Sequence, residues 1–118
     1  MRDGIRITFI LFIAPLFAMS AFAQSAPRRI EIHARRFSFT PAEITLEKGE
    51  PVILSLISED VSHSLVIEGL KINSTISKGH ITDVSLTPEV AGDFRGRCGR
   101  FCGSGHGSMV FMVHVVDK

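Results

Sequence analysis

From Ile30 onward the chain is divided into short apolar–polar alternations separated by turn residues, and no apolar period of helical length lasts beyond one turn. A two-residue period places every second side chain on one face of a pleated strand, so the pattern restricts the fold to an all-β architecture. Ile30, Ile32 and Ala34 alternate with Glu31, His33 and Arg35, and Phe37 and Phe39 are expected to continue that strand to Pro41. Ile44 and Leu46 form a second alternation, and Val52 to Ile57 is apolar enough for a deeply buried strand. Short strands are expected over 65–67, 81–86, from Phe94 into Cys98, and over the β-branched run Val110 to Val116. Lys71 to Gly79 reads as polar loop. About seven strands at this spacing predict an antiparallel sandwich or barrel.

A length of 118 residues allows one domain. The near-neutral formal charge of +1 lacks the strongly basic character of nucleic-acid-binding chains. There is no Trp or Tyr, so nine Phe supply all the aromatic packing.

Arg2 and Arg6 precede an apolar run from Ile7 to Phe17, and Ala21-Phe22-Ala23 is a small-x-small cleavage pattern. This order predicts a secretory signal peptide over 1–23, a linker over 24–29 and one domain over 30–118. The rival reading is an uncleaved anchor, for which Ile7 to Ala23 is at the short limit of a bilayer span and is interrupted by Pro15. Export would place the domain in the periplasm or another extracytoplasmic space, with membrane contact only if the leader is retained.

Chemistry concentrates in Cys98-Gly99-Arg100-Phe101-Cys102-Gly103-Ser104-Gly105-His106-Gly107-Ser108-Met109. Two thiols, an imidazole and a thioether within twelve residues are soft or borderline ligands, a set that suits copper. Glycines at 99, 103, 105 and 107 oppose a regular strand or helix and permit a tight loop. His63, in Asp60-Val61-Ser62-His63-Ser64, follows the deeply buried strand and can meet this loop at one end of a sandwich. Asp60 is expected to brace its own loop through backbone amides. His33, His80 and His114 match no ligand position.

The pattern Cys-x3-Cys-x3-His-x2-Met, with an upstream Asp-Val-x-His-Ser, resembles the dinuclear copper (CuA) domain of cytochrome c oxidase subunit II and nitrous oxide reductase. The resemblance runs from about Phe37 to Val116 and implies a cupredoxin-like Greek-key β-sandwich. It implies two copper ions bridged by the thiolates of Cys98 and Cys102, with His63 on one ion and His106 on the other. Met109 would be a weak axial ligand, and the backbone carbonyl of Arg100 would be the other. It further implies an electron carrier or electron-entry domain rather than a catalyst, working as a monomer with a cytochrome, oxidase or reductase as redox partner.

The sequence departs from the family at several places, among them the stretch before Cys98, where Phe94 is the nearest aromatic. Arg100 stands where the oxidase carries a magnesium-holding glutamate, so no magnesium site is expected. Leu65 follows His63-Ser64 where the oxidase carries tryptophan. Arg95, Arg97 and Arg100 make the surroundings basic, which favours a partner with an acidic face. Two alternatives stay open. One is a periplasmic copper carrier that delivers metal to a respiratory enzyme. The other is a metal-free sandwich stapled by a Cys98–Cys102 disulfide.

Overall fold

The computed structural model describes residues 4–5, 7–18 and 26–117. Arg2, Arg6 and the cleavage pattern Ala21–Ala23 lie outside the described residues, as do Gln24 and Ser25 of the linker. Residues 7–18 have no regular secondary structure, and among the described residues no helix is long and apolar enough to cross a membrane.

Nine strands form two sheets among the described residues. They are β1 (Arg28–Arg35), β2 (Ser38–Thr40), β3 (Glu43–Glu47), β4 (Val52–Ser58), β5 (His63–Ile67), β6 (Ile72–Ile76), β7 (Thr82–Leu86), β8 (Gly92–Arg97) and β9 (Val110–Val116). One sheet has the order β2-β1-β4-β7 and the other β3-β9-β8-β5-β6. Inward side chains of both sheets meet in one core: Ile32, Phe39, Leu54 and Leu56 from the first, and Leu46, Leu65, Ile67, Phe111 and Val113 from the second. Phe39 and Phe111 meet across it edge to face, with ring centroids 5.8 Å apart.

Four expectations are corrected. The sheets are mixed rather than antiparallel: β1 pairs parallel with β4, and β3 with β9, because successive strands cross between the sheets instead of turning back within one. Phe37 does not continue the first strand. The chain turns at Arg36-Phe37, and β2 returns antiparallel on β1. The segment read as polar loop contains β6, an edge strand that buries Ile72 and Ile76 and presents Asn73 and Thr75 to solvent. Its outward polarity hid the alternation. Finally, β1 begins at Arg28, where Arg28 and Arg29 pair with Val52 and Ile53.

Topology brings three segments to one end of the sandwich. Because β1 and β4 are parallel, their C-terminal ends are adjacent, and the Glu59 amide donates to the Ala34 carbonyl at 2.9 Å. The Arg36-Phe37 turn therefore lies beside the loop leading to His63. β5 and β8 are antiparallel with Val66 opposite Arg97. His63 precedes Val66 by as many residues as Arg100 follows Arg97, so the register directs the histidine toward the cysteine loop.

Phe111→Ala is expected to destabilise the fold by about 3–5 kcal/mol in urea unfolding, because it empties a site that is 1% exposed. Phe101→Ala, at a side chain 77% exposed, is expected to change stability by no more than about 0.5 kcal/mol.

Candidate metal centre

The loop joining β8 to β9 is closed at its neck. The Cys98 amide donates to the Met109 carbonyl at 3.2 Å, directly beyond the Arg97–Val110 pair that ends the ladder. Twelve residues must then turn within a short span, and His106–Ser108 winds into one 3-10 turn. Cys98, Cys102 and Met109 point into the buried end of the sandwich.

The four loop glycines serve different ends. Gly103 alone among them has a left-handed backbone, φ +142°. Gly99 and Gly105 instead provide space. A Cβ on Gly99 would lie 2.4 Å from Val66 Cγ2, and one on Gly105 would lie 2.4 Å from Phe37 Cδ2. The loop is thus moulded over the Phe37 ring, which the turn after β1 inserts beneath it. A Cβ on Gly107 would meet open space.

The structure brings all six sequence-predicted residues together. The sulfurs of Cys98 and Cys102 are unbonded and 3.8 Å apart, well beyond the ~2.05 Å of a disulfide. A nitrogen of His63 and both sulfurs lie within 4.8 Å of one another. His106 Nδ1 is 3.8 Å and Met109 Sδ 3.6 Å from Cys102 Sγ. The Cys98 thiol donates to the Arg100 carbonyl at 3.0 Å, so that carbonyl faces the cluster.

His63 is fully buried and is the first residue of β5 rather than part of the preceding loop. Its Nε2 is 2.6 Å from Asp60 Oδ1. Desolvation alone would raise the Asp60 carboxyl, but the Arg36 amide, the His63 ring and the Val61 amide outweigh it and hold the group at about 2. An ionised carboxylate can only accept, so Nε2 is the nitrogen that donates to Asp60, and in the neutral ring Nδ1 is then the acceptor. That Nδ1 is buried and has no hydrogen-bond partner. A carboxylate fixing the tautomer of an imidazole is a common arrangement behind metal-binding histidines.

Burial pushes the Cys102 thiol up to about 11, the hydrogen bond and charge of Cys98 and the charge of Asp60 add to this, and the Arg36 guanidinium opposes it. Both thiols must lose protons to bind a metal, so uptake strengthens as pH rises.

Several supporting contacts escaped the sequence reading. Asp60 was expected to hold backbone amides, and it does hold those of Arg36 and Val61, but its grip on His63 went unforeseen. The i,i+3 spacing of Asp60 and His63 is the one available hint. Ser64 Oγ accepts from the Gly99 amide at 2.9 Å, and Arg36 Nε donates to the Cys102 carbonyl at 2.8 Å. Nothing local signals the Arg36 contact, because its partners are 66 residues apart.

The sequence model of the cupredoxin-like domain matches residues 7–111. The chain belongs to that family. It is 30% identical over 99 residues to cytochrome c oxidase subunit 2 of Thermus thermophilus, a match covering 82% of this chain and 73% of the relative. A second subunit 2, also from Thermus thermophilus, is spanned over 59% of its length at the same 30% identity. Among solved structures, this cupredoxin is similar to a chain of a heme-copper terminal oxidase dimer, with TM-score 0.69 and 28% identity over 75% of this chain and 65% of that one. It shares its fold with the periplasmic domain of subunit II of cytochrome oxidase of Bradyrhizobium japonicum, with TM-score 0.72 and 15% identity over 80% and 88% of the two chains.

Gly105→Ala is expected to destabilise the protein by about 1–3 kcal/mol, because the methyl must displace the Phe37 ring. Gly107→Ala should be near neutral; thermal unfolding of the two variants side by side checks the difference.

Proposed function

We propose that this cupredoxin binds copper and passes single electrons between protein partners. The observation that carries the reading is the convergence of a fully buried histidine, its Nδ1 left without a partner, on two unbonded thiols. Unpaired buried polar groups are costly, and a soft metal ion would satisfy the nitrogen and both sulfurs together. Thiolate, imidazole and thioether donors form the set that favours copper over magnesium or calcium.

In this reading the centre is dinuclear. Cys98 and Cys102 hold both ions, His63 and His106 hold one each, and the Met109 thioether and the Arg100 carbonyl are weak ligands. The copper pair, when bound, supplies a redox couple whose charge is shared over two metals. The chain's own part is to restrain the donors. Asp60 fixes the His63 ring, Ser64 tethers Gly99, and Arg36 holds the Cys102 carbonyl. The role is electron carriage or electron entry rather than catalysis, in an extracytoplasmic compartment, with the first 23 residues as an export leader. There the thiols must be kept reduced before loading, since a disulfide supplies no thiolate.

Reduced protein given Cu(II) without oxygen is expected to turn purple, bind two copper ions, and show an EPR signal with hyperfine splitting shared over two copper nuclei. Cys102→Ser should abolish that signal; its survival would remove the ligand assignment. A colourless Cu(I) adduct would instead favour a copper carrier.

Asp60→Ala is expected to lower copper affinity by about 10–100-fold, because the imidazole loses the partner that fixes its tautomer and angle. Competition with a chelator measures it, and an unchanged affinity would show that Asp60 does not position His63.

A further inference from the structure

The exposed arginines fall into two sets. Arg28, Arg29 and Arg97 lie 2.8, 2.7 and 3.0 Å from carboxylates of Glu50, Asp83 and Glu68. Arg35, Arg36, Arg95 and Arg100 have no carboxylate within salt-bridge distance among the described residues. Two of the unpaired four, Arg36 and Arg100, line a groove of about 360 Å³ together with Ser62, Phe101 and Cys102. Cys102, one of the candidate ligands, is thus part of the groove's wall. Of the carboxylates in the neighbouring loop, Asp60 is held by His63 and two amides, and Glu59 lies 3.2 Å from His33 Nδ1.

Phe101 stands at the rim, 77% exposed, with its ring centroid 5.9 Å from that of His106. A large apolar side chain in contact with a candidate ligand and flanked by two unpaired guanidiniums has the make-up of an interface core with a charged rim. The whole chain carries a formal charge of only +1, so the attraction is local to this end rather than general.

We propose that this groove docks a redox protein with an acidic face, whose carboxylates pair with Arg36 and Arg100 around an apolar centre that covers Phe101. The proposal rests on the copper reading and extends it by naming the chemistry of the partner. Docking there places the partner one side chain from His106. A single electron crosses between the partner's redox group and the centre, and no bond is made or broken. Opposite charge speeds the encounter and selects against basic partners.

The test reads docking without copper. Metal-free, reduced, nitrogen-15-labelled protein is titrated with a c-type cytochrome whose lysines have been succinylated, and separately with the unmodified basic cytochrome. At low ionic strength the succinylated form should shift the amides of Ser62 and of residues 100–103, and the shifts should fade as salt screens the charges. Arg36→Gln with Arg100→Gln should weaken that binding by about tenfold or more. Arg100→Glu alone, which leaves the Arg36 brace on Cys102 in place, should move preference toward the unmodified cytochrome. Shifts at another face, indifference to the arginines, or tighter binding of the basic cytochrome to the unaltered chain would overturn the proposal. Because the readout uses no metal, its failure leaves the copper reading standing. Intact docking by a chain that forms no copper centre would remove the copper reading and keep the surface.

Discussion

Everything at the functional end of this protein depends on the closure between the Cys98 amide and the Met109 carbonyl, backed by the β8–β9 ladder. That bond holds the two ends of a twelve-residue loop together, so Cys98 and Met109 enter the core side by side. Cys102 and His106 are then carried on a loop with little freedom left. The antiparallel register of β5 on β8 adds the one donor the loop lacks, by bringing His63 up to the neck. A metal site needs donors whose positions are settled before the ion arrives, and here two strand pairings do most of that settling.

The contacts around the donors divide the work further. Asp60 is tied by two amides and in turn holds the His63 ring. Phe37 fills the space under Gly103 and Gly105, so the loop cannot sink toward the sheet. Arg36 joins the two sides, its amide bonded to Asp60 and its side chain to the Cys102 carbonyl. The β1–β2 turn thus contributes no donor yet touches the support of two of them. It also leaves a guanidinium at the rim, where the same residue that braces the centre faces an incoming protein.

Much of the site was legible because it is local. The thiols, the second imidazole and the thioether lie within twelve residues, and their softness speaks for one kind of metal. The glycines were legible as loop formers but not in their separate roles. A need for space at Gly99 and Gly105 arises from Val66 and Phe37, which no local pattern connects to them. The same limit explains β6, whose Asn73 and Thr75 are polar because they face solvent, leaving only Ile72 and Ile76, four residues apart, to mark the buried face. It also explains the parallel pairs, since alternation reports which face a side chain takes and not which neighbour its strand will have.

By itself the sequence determined the all-β class, the packing of short strands around a single core and the chemical nature of the donors. These follow from period, length and side-chain type, which are properties of residues close together in the chain. Only the tertiary structure decided that His63 brings a ring nitrogen within 4.8 Å of both sulfurs, that Phe37 and Arg36 lie beneath and beside the loop, and that Arg100 and Phe101 face outward. Those facts are set by strand register and by the crossing of the chain between two sheets. They join residues tens of positions apart, and chain-local propensities carry no information about such meetings.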